Sequence, residues 1–373
     1  MRAAHEVAQV LRQHWAEVER HPQINRWQLR TLSALRRCRT ADLGGHVDAC
    51  NDCGTTRVSY NSCRNRHCPK CQGKNRENWI ANREAELLPV PYFHVVFTLP
   101  DTLNQLAMYQ PKAVYDSLFE AAWQTVRCFA NDMKHLGAKA GMIAILHTWG
   151  QTLSLHPHLH CIVPGGGLTR QQKWKTAKTQ GKYLFPVKAM GKVFRAKYLK
   201  ALKSRIKPEK ELVNRLFQKE WVIYAKRPFG HPKAVLEYLG RYTHKVAISN
   251  HRILDIGPKQ TTFSYKDYRQ GARKLEMSLD SLEFIRRFSM HILPKGLVRI
   301  RHFGILGSSA KQVTIRLIHR ELGVTVTEPE PRILEVYNPR YCPCCQKESM
   351  VSIQRLPKRG PPKAVFSTIS TQF

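Results

Sequence analysis

Residues 141–168, GMIAILHTWGQTLSLHPHLHCIVPGGGL, carry the clearest signal of the fold. Apolar and β-branched side chains fill both halves of this stretch and Gly150 interrupts them, so the pattern predicts two strands joined by a turn. Three glycines, Gly165 to Gly167, end the second strand, and we expect them to let another molecule approach the backbone closely. Elsewhere strands and helices interleave without the regular alternation of a parallel sheet. This predicts an α+β fold, with helices on an antiparallel sheet, for which a ferredoxin-like arrangement is one solution.

Three histidines occupy alternate positions on the second predicted strand. His156, His158 and His160 share one face of an extended chain, and apolar residues take the other face. A lone histidine on a strand is usually structural, but a pair of imidazoles held by a sheet offers two nitrogen ligands to a divalent cation. His147 and His94, on two other predicted strands, are candidates for a third ligand, although each alone is more typical of a structural histidine.

The composition is strongly basic. The 373 residues include 61 lysines and arginines against 27 acidic residues, a formal net charge of +34, so a polyanion is the expected partner. The sequence has no apolar run of about 18 residues, and its N-terminus lacks the apolar core of a signal peptide. Nucleic acid is therefore favoured over a membrane surface. Eleven cysteines without a secretion signal indicate a reducing compartment, and we expect a cytoplasmic protein.

Paired cysteines predict a zinc site near the N-terminus. Cys50 and Cys53 form one C-x-x-C pair, Cys68 and Cys71 form another, and fourteen residues separate the pairs. We expect these four thiolates to hold one structural Zn²⁺, the alternative being buried thiols without a metal. Three weaker candidates either hydrogen-bond to the ligands or belong to a second ion: Cys63, His46 and His67.

Basic residues alternate with these ligands. Arg64, Arg66 and Lys70 lie within residues 62–72, SCRNRHCPKCQ. They are suited to contact DNA phosphates, and a solvated basic face is an equally good interpretation.

A second cysteine cluster lies near the C-terminus, at Cys342, Cys344 and Cys345. Three thiols cannot complete a four-coordinate site by themselves. The cluster is either a partial ligand set or a group of free thiols, and we slightly favour free thiols.

These features divide the chain into three predicted domains. They are a helical, zinc-binding and DNA-binding domain at 1–90, a domain containing the strands and histidines at 91–310, and a C-terminal extension at 311–373 with a short cysteine cluster and a disordered tail. Apolar spacing further predicts two short helices within 5–37, one helix over 102–136, one helix over 231–244 and a β-hairpin over 246–268.

Tyr238 and Tyr242 lie four residues apart on a predicted helix and therefore share a face. Such a pair is usually half-buried packing. In a basic chain with a metal-binding strand, however, a phenol oxygen is also a candidate nucleophile toward a DNA phosphate. In-line attack would form a 5′-phosphotyrosine bond and release a 3′-hydroxyl. The sequence contains no G-x-x-x-x-G-K-[ST] loop, in agreement with a reaction that needs no ATP.

Four motifs in a fixed order resemble the two-tyrosine HUH transposases of bacterial insertion sequences, the family numbered ninety-one, which are relatives of Helitrons. The motifs are SCRNRHCPKCQ (62–72), HTWGQTLSLHPHLHCIVPGGG (147–167), YLGRYTHKVAIS (238–249) and RRFSMHILPKGLVRIRHFG (286–304). The resemblance implies a zinc-binding N-terminal domain and then an HUH nuclease domain, built on a central antiparallel, ferredoxin-like or RRM-like sheet flanked by helices.

The same resemblance implies roles for individual residues. His158 and His160 match the paired metal ligands, Tyr238 and Tyr242 match the nucleophiles, and His156 is the open candidate for a third ligand. The implied catalytic metal is Mg²⁺ or Mn²⁺, and the implied substrates are single-stranded transposon ends and target DNA. Basic residues of the last motif are expected to follow the DNA backbone: Lys295, Arg299 and Arg301.

The expected function is therefore that of a transposase, which cleaves and rejoins single DNA strands in rolling-circle transposition. A host helicase is a possible partner, and we expect the protein at the bacterial nucleoid rather than at a membrane. Two alternatives stay open at this point: a catalytically silent zinc-dependent DNA-binding protein, and an HUH replication initiator or relaxase. The sequence leaves the oligomeric state undetermined.

Overall fold

A computed structural model describes residues 3–72, 86–178, 184–225, 234–235, 240, 246–307, 311–324 and 338–358. Its helices are α1 (Val7–Gln13), α2 (Trp15–Arg20), α3 (Arg26–Arg36), α4 (Asn104–Tyr109), α5 (Pro111–Asn131), α6 (Val187–Lys203), α7 (Lys210–Gln218), α8 (Ser281–Met290) and α9 (Lys311–Glu321). Its strands are β1 (Gly45–Cys50), β2 (Thr56–Tyr60), β3 (Tyr92–Thr98), β4 (Gly141–Trp149), β5 (Leu155–Pro164), β6 (Gly166–Leu168), β7 (Trp174–Thr176), β8 (Ile223–Ala225), β9 (Ile253–Ile256), β10 (Gln260–Asp267), β11 (Arg273–Asp280), β12 (Ile300–Gly304) and β13 (Met350–Leu356).

The chain forms two compact units, and neither is continuous in sequence. The first unit contains residues 1–75, 248–289 and 331–373, and the second contains 76–247 and 290–330. The predicted domains at 1–90, 91–310 and 311–373 were continuous and differ from this division. The reason is strand pairing between distant segments, which sequence periodicity does not report.

A five-stranded antiparallel sheet forms the centre of the second unit, in the order β12-β4-β5-β3-β8. One face carries alternate apolar residues of each strand, such as Phe93, Val95 and Phe97 of β3, and packs against α5 and α6. Complete burial of one such side chain contributes about 1.5–3 kcal/mol. The α+β class with an antiparallel sheet is therefore confirmed.

The opposite face of this sheet is partly apolar and partly polar. Ile145 and Ile162 pack beside Ile315 and Ile318 of α9 in a second, smaller core. Farther along the same strands, this face carries histidines in place of aliphatic residues. The change of side-chain type along one face of β4 and β5 positions the site described below.

Helices occur in the predicted regions 5–37 and 102–136, but each region contains one helix more than predicted. The helix predicted over 102–136 is divided into α4 and α5, because Pro111 begins α5 and Gln110 before it has non-helical torsions (φ −125°, ψ 49°). Within 5–37 there are three helices instead of two, since His14 interrupts the first (φ −113°, ψ 22°). The helix predicted over 231–244 lies outside the described residues except at 234–235 and 240.

The first unit contains a three-stranded sheet in the order β13-β1-β2. Strand β13 pairs with β1 along its full length, with one irregularity between Val47 and Asp48. The predicted extension at 311–373 is therefore divided: α9 belongs to the second unit, and residues 338–358 complete a sheet of the first. The predicted tail lies outside the described residues from 359 onward.

The hairpin predicted over 246–268 is confirmed as β9 and β10, and β11 adds a third strand. Helix α8 follows β11 directly and packs on this sheet, where the rings of Phe263 and Phe284 lie 5.7 Å apart. The N-terminal helices contact the same part of the unit, since the Val7 backbone amide donates to Asn250 Oδ1 at 3.2 Å.

The three consecutive glycines serve packing within the chain. A Cβ atom on Gly167 would lie 2.4 Å from the Lys139 carbonyl oxygen, and one on Gly166 would lie 2.6 Å from that of Lys175. Gly165 to Gly167 are all buried. The expectation that they admit another molecule was therefore wrong: their own neighbouring backbone occupies the space.

Candidate functional site

Three histidines converge on one face of the central sheet. His147 of β4 lies directly opposite His158 of β5, and His160 lies two residues farther along β5. Opposed residues of an antiparallel pair and residues two apart on one strand point to the same face. One ring nitrogen of each histidine therefore lies within 4.8 Å of the others. We call His147, His158 and His160 the histidine group.

His156 does not belong to this group, which corrects the candidate ligand set His156, His158 and His160. The register between β4 and β5 shifts between His147 and Trp149, so one extra residue is accommodated on β5 before His158. His156 lies beyond this shift and is exposed. His147, the other sequence candidate on the neighbouring strand, takes the third position.

Hydrogen bonds orient the rings of His158 and His160 within the group. His158 Nδ1 lies 2.6 Å from the carbonyl oxygen of His156, so Nδ1 carries the proton and Nε2 keeps its lone pair. His160 Nε2 lies 3.2 Å from this nitrogen. Behind it, His160 Nδ1 lies 3.0 Å from Nε2 of His94, a residue only 2% exposed. His94 therefore supports His160 and is not itself in the group.

The distances suit a divalent cation. Two nitrogens about 2.1 Å from one ion, at angles between 90° and the tetrahedral value, lie about 3.0–3.4 Å apart. The observed separation of His158 Nε2 and His160 Nε2 is 3.2 Å. When a cation is bound, the proton of His160 must be on Nδ1, where His94 Nε2 accepts it. Without a cation, the proton can instead be on Nε2, which then donates to His158 Nε2. The pair formed by His158 and His160 therefore fits a metal without rearrangement of the sheet.

Aromatic and cationic side chains surround His147. The Trp149 ring stacks on the His147 ring with centroids 4.7 Å apart and an interplanar angle of 17°. The guanidinium carbon of Arg299 lies 5.1 Å from the Trp149 ring centroid, and its Nε donates to the Leu146 carbonyl oxygen at 3.0 Å. Arg299, predicted to follow the DNA backbone, thus holds positive charge near the histidine group.

Sequence reasoning missed a further histidine near the site, His291, which has a structural role. His291 Nε2 donates to the Leu153 carbonyl oxygen at 3.0 Å, so its Nδ1 accepts from the Thr148 hydroxyl at 3.2 Å. Complete burial lowers the pKa of His291 to about 4. The ring is therefore neutral near pH 7 and holds the loop after β4 by two hydrogen bonds.

The predicted nucleophiles, Tyr238 and Tyr242, lie outside the described residues. Their role stays a prediction from sequence.

Eight of the nine cysteines in the first unit form two groups of four. One contains Cys38, Cys63, Cys68 and Cys71, and the other contains Cys50, Cys53, Cys342 and Cys345; in each, all four sulfurs lie within 4.8 Å of one another. The single site predicted from Cys50, Cys53, Cys68 and Cys71 was therefore wrong. Cys63, a weaker candidate, belongs to the first group, and Cys38 was missed.

The β1–β2 hairpin explains why the two C-x-x-C pairs separate. Cys50 and Cys53 lie at the tip of the hairpin, whereas Cys63, Cys68 and Cys71 follow the end of β2 at its base. Five paired residues at about 3.3 Å each separate tip from base by roughly 15 Å, too far for one ion to bind both. His46 and His67, the other weaker candidates, belong to neither group among the described residues.

Sulfur separations in the first group match a tetrahedral metal site. Cys71 Sγ lies 3.5 Å from Cys38 Sγ and 3.7 Å from Cys63 Sγ. Four thiolates about 2.3 Å from a central Zn²⁺ lie about 3.8 Å apart. The Cys63 backbone amide also donates to Cys38 Sγ at 3.4 Å, which stabilises a thiolate at that position.

The predicted DNA-contacting residues differ in their surroundings. Arg64 and Lys295 are exposed. Lys70 forms an ion pair with Glu6 at 2.6 Å, and Arg66 is half-buried. Arg301 pairs with Asp116, and its guanidinium carbon lies 4.1 Å from the Phe119 ring centroid. Lys70 and Arg301 thus have structural contacts, and DNA contact by these five residues stays a prediction.

Two family descriptions match the chain. "Transposase zinc-binding domain" covers residues 10–99, and "Putative transposase" covers residues 141–313. The second match spans the histidine group, and the first spans six cysteines.

Two relatives match over most of their lengths. "Putative transposase y4qJ" of Sinorhizobium fredii (strain NBRC 101917 / NGR234) is 42% identical, over 97% of this chain and 98% of that protein. "Transposase for insertion sequence element IS801" of Pseudomonas savastanoi pv. phaseolicola is 28% identical, over 86% of this chain and 80% of that protein. No solved structure matches the chain. Across the described parts of the chain, the helices are too short or too polar to cross a membrane.

These matches confirm the resemblance drawn from the four motifs and, with the cysteine groups, support structural zinc in this chain. The chain belongs to the IS91 family of transposases and acts on DNA.

Proposed function

We propose that this transposase cleaves and rejoins single DNA strands by metal-assisted tyrosine attack, through a 5′-phosphotyrosine intermediate in rolling-circle transposition. The observation that carries the proposal is the histidine group, in which three imidazoles from two paired strands converge and the Nε2 atoms of His158 and His160 lie 3.2 Å apart. The family supplies DNA as the substrate class, and the net charge of +34 supports binding to a polyanion.

In this proposal, His147, His158 and His160 hold one divalent cation, Mg²⁺ or Mn²⁺. The cation supplies positive charge that neutralises a non-bridging oxygen of the scissile phosphate. His94 orients His160, and the carbonyl of His156 orients His158, so both Nε2 atoms are aligned before metal or DNA binds.

Tyr238 or Tyr242 then supplies the nucleophile. The phenol loses its proton to solvent, its oxygen bonds to phosphorus, and the bond from phosphorus to the 3′-oxygen breaks; that oxygen takes up a proton and leaves as a hydroxyl. Because the new phosphotyrosine ester keeps the energy of the phosphodiester, a target 3′-hydroxyl can reverse the step without ATP. Two tyrosines allow one to hold a cleaved 5′ end while the other attacks a second strand.

Basic residues position the DNA strand. Arg299 lies beside Trp149 next to the histidine group, and Lys295 is exposed four residues before it. We expect both to contact phosphates, since an exposed or half-buried cation near a phosphate-binding metal increases the local attraction for the backbone. We expect a host helicase to separate the strands ahead of the site.

The test is a covalent adduct assay. Purified protein is incubated with a labelled single-stranded transposon end and Mn²⁺, denatured in SDS, and examined for label that migrates with the protein. The wild type should form the adduct, and the double variant Tyr238→Phe, Tyr242→Phe should not. Tyr109→Phe is the matched control, because Tyr109 is exposed at the end of α4, whose Ala107 packs in the core on the face of the sheet away from the histidines.

Two outcomes would contradict the proposal. An adduct that persists in the double variant would remove Tyr238 and Tyr242 as nucleophiles. DNA binding without any adduct in the wild type would instead support a silent zinc-dependent DNA-binding protein.

A further inference from the structure

We propose that Cys50, Cys53, Cys342 and Cys345 bind a second structural Zn²⁺, which fastens residues 338–358 to the β1–β2 hairpin. The family zinc-binding domain covers residues 10–99 and so contains only two of these four ligands. The other two come from the segment near the C-terminus, nearly 300 residues later along the chain.

The sulfur geometry is that of a four-coordinate metal site. Cys50 Sγ lies 3.6 Å from Cys345 Sγ, and Cys53 Sγ lies 3.6 Å from Cys342 Sγ. These values approach the separation of about 3.8 Å between thiolates around tetrahedral Zn²⁺. They are far longer than the bond of about 2.05 Å in a disulfide, and all four cysteines are free thiols.

The two C-x-x-C segments have the same backbone conformation. In the first, the amide of Gly54 donates to the carbonyl of Cys50 at 3.0 Å, and the amide of Cys50 donates to the carbonyl of Thr55 at 3.0 Å. In the second, the amide of Gln346 donates to the carbonyl of Cys342 at 3.0 Å, and the amide of Cys342 donates to the carbonyl of Lys347 at 2.8 Å.

The residue after each C-x-x-C pair also has a positive φ, +70° at Gly54 and +58° at Gln346. A left-handed conformation is less favourable at glutamine than at glycine, yet Gln346 adopts the same turn as Gly54. Two equivalent turns that present their thiols to each other are the geometry of a zinc site built from paired C-x-x-C segments.

Apolar burial does not account for the attachment of residues 338–358. Only Cys342 and Met350 of this segment are buried, and the local core consists of these two residues with Cys50 and the partly buried Cys345. Val351 and Ile353 of β13 are 42% and 52% exposed. A segment with so little buried apolar surface ordinarily needs a metal or another cross-link to stay folded.

A contact between Ser349 and Cys50 also supports a thiolate at Cys50. The Ser349 hydroxyl lies 3.0 Å from Cys50 Sγ, close enough to donate a hydrogen bond to a metal-bound thiolate. The set of four sulfurs without nitrogen or oxygen ligands favours zinc over magnesium or calcium, with iron as the competing metal.

The first test counts zinc. All proteins carry His158→Ala and His160→Ala, so that the histidine group binds no zinc, and metals are measured by mass spectrometry after gel filtration. The parent should contain two zinc ions per chain, the Cys342→Ser, Cys345→Ser variant one, and the Cys344→Ser variant two. Cys344 is the matched control because it lies between the two ligands, is exposed and belongs to neither group.

One zinc in the parent, two in the Cys342→Ser, Cys345→Ser variant, or iron in place of zinc would overturn the proposal. None of these outcomes bears on the tyrosine chemistry, which the adduct assay tests separately.

The second test uses the unaltered chain and so does not depend on a variant that folds. The protein is treated with iodoacetamide before and after a strong chelator, and modified positions are identified by peptide sequencing. Cys344 should react at once, whereas Cys53 and Cys345, which have accessible surface but are metal-bound in this proposal, should react at least tenfold faster after chelation. Equal rates before and after chelation at these two positions would contradict a bound metal.

Discussion

Replacement of His94 by leucine tests how the histidine group is held in place. His94 is 2% exposed, and its Nε2 lies 3.0 Å from Nδ1 of His160. Leucine fills a similar volume but offers no hydrogen-bond acceptor. In the metal-bound state of His94→Leu, the Nδ1 proton of His160 is buried without this partner, and the ring is free to turn its Nε2 away from His158.

The magnitude follows from one lost hydrogen bond at a buried site. Leaving a buried donor without its partner costs about 1–3 kcal/mol. Loss of a hydrogen bond that orients a metal-binding histidine typically lowers metal affinity about 10- to 100-fold. We expect His94→Leu to bind Mn²⁺ about 10- to 100-fold more weakly than wild type, and His94→Gln, whose amide oxygen can accept the same proton, to recover most of the affinity.

The assay is calorimetric titration of Mn²⁺ into protein whose cysteine sites are loaded with zinc. His319→Leu is the matched control: His319 is also buried in the second unit, where its Nε2 lies 3.2 Å from the Leu87 carbonyl oxygen, but it is not part of the histidine group. His319→Leu should lower the free energy of unfolding without changing Mn²⁺ affinity. If His94→Leu binds Mn²⁺ within twofold of wild type, His94 does not position His160.

Three further predictions concern the same unit. His147→Ala should lower Mn²⁺ affinity by at least about tenfold, whereas His156→Ala should change it by less than about twofold; the reverse order in calorimetry would restore His156 as the third ligand. Adduct formation at equal metal concentration should be faster with Mn²⁺ than with Mg²⁺, because three imidazoles favour the softer ion; equal rates would show that nitrogen ligation does not select the metal. Between pH 6.5 and 4, the unfolded chain protonates His291 while the folded chain, with a pKa of about 4, does not, so the free energy of unfolding should fall by up to about 3 kcal/mol as pH decreases. His291→Gln, measured by denaturant titration at both pH values, should lose that part of the dependence, and an unchanged slope would refute it.

The parts of the site that depend on local spacing were predictable from sequence. Alternation placed His158 and His160 on one face of β5, and the C-x-x-C spacing selected four cysteines that the structure places in groups able to hold a metal ion. The identity of the third histidine could not be predicted from the spacing within one strand. His147 and His156 were both reasonable candidates, and only the shift in register between β4 and β5 decides between them. A register shift depends on how two strands pair, which neither strand encodes alone.

The division of the cysteines shows the same limit more clearly. Cys50 and Cys68 are near in sequence but lie at opposite ends of a hairpin, while Cys342 and Cys345 reach Cys50 and Cys53 through the pairing of β13 with β1. Counting ligands would have signalled the error. Six cysteines lie between Cys38 and Cys71, one tetrahedral site uses four, and the two that remain must find their partners elsewhere.

In the proposed reaction, the metal ligands and the nucleophiles come from different parts of the chain. The three proposed ligands stand on the paired strands β4 and β5, whose opposite face is buried in the core. The tyrosines come from a different segment, predicted to be helical, where residues four apart lie about 6 Å along the axis. One metal position therefore serves only one phenol in line with a given phosphate at a time. Two nucleophiles and one fixed metal site thus require either the DNA or the tyrosine segment to shift between the two attacks, while the sheet stays as it is.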